Sequence, residues 1–423
     1  MFDRTPDYAQ AMDRDDPLAR FRDEFHISVG HNGQQEIYFC GNSLGLQPKR
    51  TGAYVSDFLN DWATRGVRGH FEGNHPWMPY HEFLTTGLAS LAGALPHEVV
   101  AMNSLTVNLH LMMVSFYRPT VQRFKILIEE HAFPSDSYAV VSHLQHHGLD
   151  PAEALVKVAQ RPGSELIDEA DLMQIIEQHG KQLSLILLPG VQYYTGQVLP
   201  MAEITRIGHN VGAIVGFDMA HAMGNIPLFL HEWDVDFAVW CSYKYLNSGA
   251  GSVAGCFIHE RHVRNTSLHR FAGWWGHDKS TRFQMGSEFH AMPTAEGWQL
   301  SNPPILSLAA MRASLDLFRE AGGLSALRKK SELLTGYLEY LLKLECGDRV
   351  QIITPHDANH RGCQLSLSIR SGQYSGKEVH QRLEQAGVAC DWREPNVMRV
   401  APVPLYNTFT EVYRFVHLLK TWL

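Results

Sequence analysis

Between about residues 50 and 310, short apolar segments of strand length alternate with stretches of helical length, and this alternation most constrains the fold. Polar residues do not recur at every second position, so each predicted strand is expected to be buried on both faces. The segments are FKILIEE (124–130), LSLILLPGV (183–191), GAIVGFD (212–218), DFAVWCS (236–242) and SVAGCFI (252–258). Buried strands joined by helices form a mostly parallel, doubly wound sheet, so the pattern predicts an α/β fold.

The pattern changes past residue 310, where two long helices are followed by a mixture of short strands and helices. The strand candidates there are QIIT (351–354), CQLSLSI (363–369) and MRVA (398–401). This mixture predicts a smaller α+β domain over 311–423, beside a large domain over 51–310. Residues 1–50, which include the strand candidate IYFC (37–40), are expected to form an arm that packs on the small domain.

Composition excludes several classes of protein. The 423-residue chain has a formal net charge of -8, which disfavours nucleic acid or an anionic membrane as its partner. It has no apolar run of membrane-spanning length and no secretory signal pattern at its N-terminus, so we expect a cytoplasmic location. Six scattered cysteines without a CxxC pair predict free, mostly buried thiols. His143, His146 and His147 are interpreted as a solvated helix face, and no metal site is expected.

Chemically distinctive residues follow the predicted strands. Asp218 ends one strand, His221 comes three residues later, and Lys244 comes just after the next strand. Ligands of open α/β sheets bind beyond the carboxyl ends of the strands, so we expect these side chains to face one cleft. Upstream, Leu105 and Thr106 stand where a helix begins, and a helix N-terminus binds anions.

These residue types match the requirements of pyridoxal 5'-phosphate (PLP). Its carbonyl forms a Schiff base with a lysine, its pyridine nitrogen needs a carboxylate, and its phosphate needs hydrogen-bond donors. Lys244 and Asp218 are assigned the first two roles, and the helix start at Leu105 and Thr106 the third. Phe133, in HAFPSD after the first strand, can cover the ring face. The glycine-rich segment 248–255 has neither a P-loop nor a dinucleotide fingerprint and is interpreted as a tight turn.

The order D-x-x-H followed by S-x-K resembles the class V aminotransferase group of fold-type I PLP enzymes. Within that group, the chain resembles the kynureninase family along almost its whole length. The matching stretches are YFCGNSLGLQP, NHPW, MNSLTVNLHLMM, HAFPSD, YTGQ, FDMAHAMGN, WCSYKYLNSGAG, GWWGH, QLSNPPIL and MRVAPVPLYN.

The resemblance implies a role for each matching residue. Lys244 would carry the cofactor, Asp218 would pair with its pyridine nitrogen, and His221 would support that pair. Tyr243 would hydrogen-bond the phosphate and act as a catalytic proton donor. The other implied cofactor contacts are Leu105, Thr106, Phe133, Pro134, Ser135, Asp136, Trp274 and Asn302. The implied substrate contacts are Ser43, His70, Asn302 and Arg399, with Arg399 on the α-carboxylate.

The resemblance also implies a reaction and an assembly. The reaction is hydrolysis of the Cβ–Cγ bond of L-kynurenine or 3-hydroxy-L-kynurenine to L-alanine and the corresponding anthranilate, in tryptophan catabolism and NAD biosynthesis. The assembly is a homodimer in which Trp274 and Asn302 act across the subunit boundary. Pro189 departs from the small hydroxyl residue that the family often has there, so a cofactor contact from that position is in doubt.

Two alternatives to this reading remain. Another class V enzyme, such as a cysteine desulfurase or an aminotransferase, typically has histidine before the lysine, whereas this chain has Tyr243. A desulfurase also needs a reactive cysteine on a mobile loop, and Cys256 is placed within a strand. A non-catalytic protein that retains the fold is disfavoured because Lys244 and Asp218 are both present.

Overall fold

The computed structural model describes residues 2–30, 33–265, 267–370 and 372–423. Its strands are β1 (Ile37–Tyr38), β2 (Val99–Ala101), β3 (Lys125–Glu129), β4 (Leu155–Val158), β5 (Leu183–Pro189), β6 (Ile214–Asp218), β7 (Phe237–Trp240), β8 (Gly255–Ile258), β9 (Val350–Ile352), β10 (Leu365–Ile369), β11 (Val388–Ala389), β12 (Asp391–Arg393) and β13 (Val397–Val400). Its α-helices are α1 (Pro6–Arg14), α2 (Thr51–Arg65), α3 (Glu82–Ala92), α4 (Leu105–Phe116), α5 (Pro134–His146), α6 (Pro151–Ala154), α7 (Glu169–His179), α8 (Met201–Asn210), α9 (Glu260–Val263), α10 (Ile305–Glu320), α11 (Gly323–Glu345), α12 (Gly376–Gln385) and α13 (Phe409–Thr421).

A seven-stranded sheet in the order β2-β8-β7-β6-β5-β3-β4 forms the centre of the large domain. Neighbouring strands from β7 to β4 are parallel, whereas β8 runs antiparallel to both β7 and β2. All five apolar segments named above form strands of this sheet, which confirms the predicted α/β fold. The short strands β2 and β4 were not predicted, because three or four residues give too little pattern to separate a strand from a loop.

The second sheet is antiparallel, in the order β12-β13-β10-β9, and α11 packs on α13 within the same part of the chain. Its core contains Leu338, Leu365, Leu367 and Phe415. The N-terminal arm joins this core in two places. Strand β1 pairs in parallel with β11, and α1 packs against α13.

The predicted boundary at residue 310 falls inside α10. Leu308 and Phe318 of this helix belong to the core of the large domain. Helix α11 then passes from one core to the other, because Leu327 packs in the large-domain core and Leu334 in the small-domain core. The domain limits stay a prediction, and this packing favours a transition within α11.

The interpretation of the three histidines at the end of α5 as a solvated face is wrong for His143. His146 and His147 are exposed, but His143 is buried, with its Nε2 3.0 Å from Nδ1 of His110. Burial lowers the pKa of His143 to about 4, so the imidazole is neutral at physiological pH. Helical spacing alone could not show that α4 covers this side of α5.

Two expectations from composition can be compared with the structure. Five of the six cysteines are buried, Cys40 is partly buried, and none forms a disulfide, which confirms the expected free thiols. Within the described ranges, no helix is both long and apolar enough to cross a bilayer.

Candidate active site

A cavity of about 550 Å³ lies beyond the carboxyl ends of β3, β5, β6 and β7. It is lined by Leu105, Thr106, Glu129, Phe133, Ser135, Asp136, Pro189, Val191, Tyr193, Asp218, Ala220, His221, Tyr243 and Lys244. Six of these side chains were predicted from their positions at strand ends and a helix start: Leu105, Thr106, Phe133, Asp218, His221 and Lys244. Three more, Ser135, Asp136 and Tyr243, were implied by the family resemblance. Parallel strands explain this convergence, because their carboxyl ends all reach the same edge of the sheet.

Lys244 stands in the loop after β7, with its Nζ 2.9 Å from Nε2 of His221. Burial lowers the pKa of His221 well below its usual value, and the charge of Lys244 lowers it further. The neutral imidazole therefore accepts a hydrogen bond from the ammonium group.

The N-terminal arm packs closely against the Lys244 loop, since the N–H of Gly45 donates to the Tyr243 carbonyl at 2.8 Å. A Cβ at Gly45 would lie 2.3 Å from the Lys244 carbonyl oxygen, so only glycine fits.

Three carboxyl groups lie in the cavity wall. Asp218 is buried at the end of β6, and its Oδ1 accepts the N–H of Ala220 at 2.6 Å. Burial, followed by the charge of Asp218, raises the pKa of Asp136 well above its usual value. Burial raises the pKa of Glu129 to about 8. Burial raises the pKa of Asp218 as well, but the hydrogen bond from Ala220 and the charge of Lys244 oppose that shift. Glu129 and Asp136 are therefore the carboxyl groups that hold protons at neutral pH.

Two helix N-termini meet at another side of the cavity. Helix α4 begins at Leu105, α5 begins at Pro134, and Oγ1 of Thr106 lies 2.8 Å from Oγ of Ser135. The free N–H groups and hydroxyls at these ends form a seat for an anion such as a phosphate. Pro134 does not line the cavity. It occupies the first helical position, where proline is favoured because its missing N–H has no helical partner.

Phe133 and Tyr193 connect the cavity to the predicted substrate residues. The two rings meet edge to face, with centroids 5.3 Å apart. The carbonyl of Tyr193 accepts a hydrogen bond from Nη1 of Arg399 at 2.8 Å, and Nη2 of Arg399 donates to Oγ of Ser43 at 3.1 Å. The fold thus brings Ser43 and Arg399 together beside the cavity.

Trp274, His70 and Asn302 do not line the cavity that contains Lys244. Trp274 is 42% exposed, and its indole N–H donates to the carbonyl of Arg282 at 3.2 Å. His70 and Asn302 line a different pocket of about 520 Å³ with aromatic walls. Within one chain, these three residues therefore lie apart from the other predicted site residues.

Glu129 and Tyr193 line the cavity, although the sequence pattern did not predict them there. Glu129 ends a predicted strand in the same way as Asp218, so the rule that identified Asp218 could also have identified Glu129. Tyr193 lies in the segment after β5, where no strand or helix pattern fixes the direction of a side chain. Only the folded structure could place its ring against Phe133.

Two clusters of histidine and carboxylate side chains lie outside this cavity, and in each the ligand atoms already have partners. In the first, Glu98 accepts from His231 at 2.9 Å, while Nδ1 of His259 accepts the N–H of Arg261 at 3.2 Å. In the second, an ammonium group neutralises the carboxylates. That cluster comprises His81, Glu82, Glu296 and Lys279.

The residues of the cavity fit PLP. Oδ1 of Asp136 and Nδ1 of His221 are buried and lack a hydrogen-bond partner among the described residues, as expected where a polar ligand binds. Solved structures with the same fold include the cysteine desulfurase CsdA of Escherichia coli, with a TM-score of 0.76, 16% identity and coverage of 96% of this chain and 98% of that chain. A C-DES mutant with glycine covalently linked to its PLP cofactor gives a TM-score of 0.75 at 16% identity, covering 92% of this chain and 97% of that chain. The fold and the cavity define a fold-type I PLP-dependent enzyme, and PLP is its cofactor.

Sequence comparison identifies the family within this class. Residues 327–419 match the family model of the kynureninase C-terminal domain. The chain is 56% identical to the kynureninase of Koribacter versatilis, over 98% of this chain and 97% of that protein. It is 54% identical to the kynureninase of Myxococcus xanthus, over 99% and 98% of the two chains. The chain belongs to the kynureninase family.

Proposed function

We propose that this chain hydrolyses the Cβ–Cγ bond of L-kynurenine or 3-hydroxy-L-kynurenine, releasing L-alanine and anthranilate or 3-hydroxyanthranilate. One observation carries this proposal. Lys244, Asp218 and the two helix N-termini share one cavity, in a chain that is 56% identical to a kynureninase over almost its full length.

The side chains of the cavity divide the work of this reaction. When bound, PLP supplies an electron sink for the pair left at Cα after its proton departs. Lys244 would hold the cofactor through its Nζ, and as a free amine it would take up the α-proton of the substrate. Asp218 would pair with the pyridine nitrogen and keep it charged, and the Thr106 and Ser135 hydroxyls would bind the phosphate. Water adds to the γ-carbonyl, the Cβ–Cγ bond breaks, and Cβ then receives a proton.

The reaction is tested by the absorbance spectrum of the purified protein and by addition of L-kynurenine while the fluorescence of anthranilate is followed. We expect a yellow protein that forms anthranilate and alanine in equal amounts. A yellow protein that forms no anthranilate from either kynurenine would move the function to another class V reaction. A colourless protein that added PLP does not change would contradict the cofactor roles of Lys244 and Asp218.

Tyr243 is proposed as the proton donor in the cleavage steps. Burial raises the pKa of its phenol, as do the neighbouring Cys241 and Asp218, so the group keeps its proton at neutral pH and can donate it. We expect Tyr243→Phe to lower kcat by about 10²-fold, the usual contribution of a positioned acid, while the cofactor absorbance is retained. A normal kcat in this variant would exclude the proposed role.

We also propose a homodimer in which Trp274 and Asn302 complete the active site of the opposite subunit. Support comes from the position of these residues, since neither lines the cavity that holds Lys244 of the same chain. Segments 62–71 and 271–285 also expose several large apolar side chains, which favours an interface. The exposed large apolar side chains of these two segments are Trp62, Val67, Phe71, Phe271, Trp274, Phe283 and Met285.

A shared site predicts complementation between two inactive variants. Lys244→Ala subunits mixed with Trp274→Ala/Asn302→Ala subunits should regain activity, because each mixed dimer contains one site without either lesion. Random re-assembly of a two-fold dimer predicts recovery of about a quarter of the normal rate. The matched control mixes Lys244→Ala with Tyr243→Phe, whose lesions lie in the same half-site, and should recover nothing. Equal results from both mixtures would rule out the shared site.

A further inference from the structure

A buried ion pair lies beside the cavity, between neighbouring strands of the second sheet. Asp391 on β12 is directly opposite Arg399 on β13 in the antiparallel register. Nε of Arg399 donates to Oδ1 of Asp391 at 3.2 Å, and Nη2 donates to Oδ2 at 2.6 Å. Both oxygens of one carboxylate therefore bind one edge of the guanidinium group, which fixes its plane as well as its position.

The guanidinium group also contacts Tyr193, a residue that lines the cavity. Nη1 carries two N–H groups. Among the described residues its acceptor is the carbonyl of Tyr193, at 2.8 Å. Nη2 also donates to Oγ of Ser43 at 3.1 Å, and the Ser43 hydroxyl in turn donates to Asp391. The edge formed by Nη1 and Nη2 therefore retains hydrogen-bonding capacity next to a hydroxyl that can change partners.

The charges around the pair leave a net positive site. Arg399 is 1% exposed, and Arg393, on the same side, lies 2.9 Å from Asp391 through its Nε. Burial by itself would raise the pKa of Asp391, but the charges of the two arginines and the hydrogen bond from Ser43 outweigh it, so the pKa lies below its usual value. Two arginines and one ionised carboxylate leave room for one further negative charge.

We propose that Asp391 is a positioning residue for substrate recognition: it holds Arg399 by the Nε–Nη2 edge and so presents the Nη1–Nη2 edge to the α-carboxylate of the substrate. This inference rests on the proposed function and on the role that the family resemblance implies for Arg399, which is to bind that carboxylate. Asp391 does not contact the substrate itself. It removes the rotational freedom of the guanidinium group before the substrate arrives, which raises affinity by pre-organisation.

Asp391→Asn tests this role, because an amide can accept only one of the two hydrogen bonds and points an N–H group at the guanidinium. We expect the KM for L-kynurenine to rise by roughly tenfold or more, as when one partner of a buried charge pair is lost, with kcat changed much less. Competitive inhibition by kynuramine, the same molecule without the carboxylate, should remain as in the unchanged holoenzyme. The cofactor absorbance should also be retained.

The matched control is Asp171→Asn, which breaks a bidentate pair with Arg161 at the surface. It should change neither the KM for L-kynurenine nor the inhibition by kynuramine. If Asp391→Asn weakened the binding of L-kynurenine and of kynuramine equally, the role of Asp391 would be structural only. An unchanged or lower KM for L-kynurenine would also overturn the proposal. If the unchanged enzyme formed no anthranilate, the proposed reaction would be contradicted, but the role of Asp391 would not. Asp391 could then still be assessed by the binding of L-alanine, followed through the cofactor absorbance. Arg399→Lys without any effect on L-alanine or L-kynurenine would instead contradict the assignment of Arg399.

Discussion

Replacement of Lys244 by alanine is expected to abolish both turnover and the yellow absorbance of the protein. The two losses should occur together because the same amine holds the cofactor and removes the α-proton. Loss of a covalent anchor and a general base from one position predicts a fall in kcat of about 10⁴-fold or more. The measurements are the absorbance spectrum after reconstitution with PLP and the rate of anthranilate release from L-kynurenine.

Lys181→Ala provides the control for this experiment. Lys181 is an exposed lysine between α7 and β5, so its loss should leave the spectrum and the rate unchanged. Full activity of Lys244→Ala would contradict the proposed mechanism. Retained absorbance with no turnover would mean that another amine binds the cofactor.

Replacement of Asp236 by alanine should produce the largest loss of stability. This carboxylate is buried just before β7, where Oδ2 accepts from the Val215 N–H at 2.7 Å and from His209 at 2.9 Å. Oδ1 accepts from Arg261 at 2.6 Å and from His262 at 2.7 Å. Removal of the carboxylate leaves these donors without their acceptor in a buried site, which is expected to cost about 3–5 kcal/mol of the free energy of unfolding.

The stabilisation by Asp236 depends on pH in a defined direction. Burial alone would raise the pKa of this carboxyl, but hydrogen bonds from His209 and His262 and the charge of Arg261 hold it below the ordinary 3.8. A lowered pKa in the folded state means that the stabilisation is complete above pH 3.8 and is lost as the pH falls towards the folded-state value. The difference in unfolding free energy between the unchanged protein and Asp236→Ala should therefore be constant near neutrality and shrink in acid.

Urea unfolding of both proteins at several pH values measures this difference. Asp171→Ala, which removes a carboxylate paired with Arg161 at the surface, is the matched control and should have little effect. An Asp236→Ala variant as stable as the unchanged protein would mean that the buried network contributes nothing net. A difference that grows in acid would contradict the assigned direction of the pKa shift.

The sequence by itself determined the sheet and most of the cofactor cavity. Buried parallel strands require unbroken apolar segments, and such segments are visible one at a time in the sequence. Because these strands end at one edge, Asp218 and Lys244 could be placed in the same cleft without knowledge of any contact between them. The helix start at Leu105 follows from an equally local signal.

Only the tertiary structure decided features that depend on two distant segments meeting. His143 is buried because α4 covers it, and β8 runs against β7 although its apolar segment looks like the others. The limits of the domains depend on α11, which contributes side chains to both cores. Short-range periodicity describes one element at a time, so it cannot report which element lies next to it.

The same limit applies to the proposed substrate site. Asp391 and Arg399 are eight residues apart, yet their pairing depends on the register between β12 and β13 and on a carbonyl from the segment after β5. Trp274 and Asn302 lie in stretches that match the family, but neither residue lines the cavity of its own chain. The sequence determined which residue types the chemistry needs. Their final assembly was decided by long-range packing, because hydrogen bonds and buried charges depend on distances that only the folded chain sets.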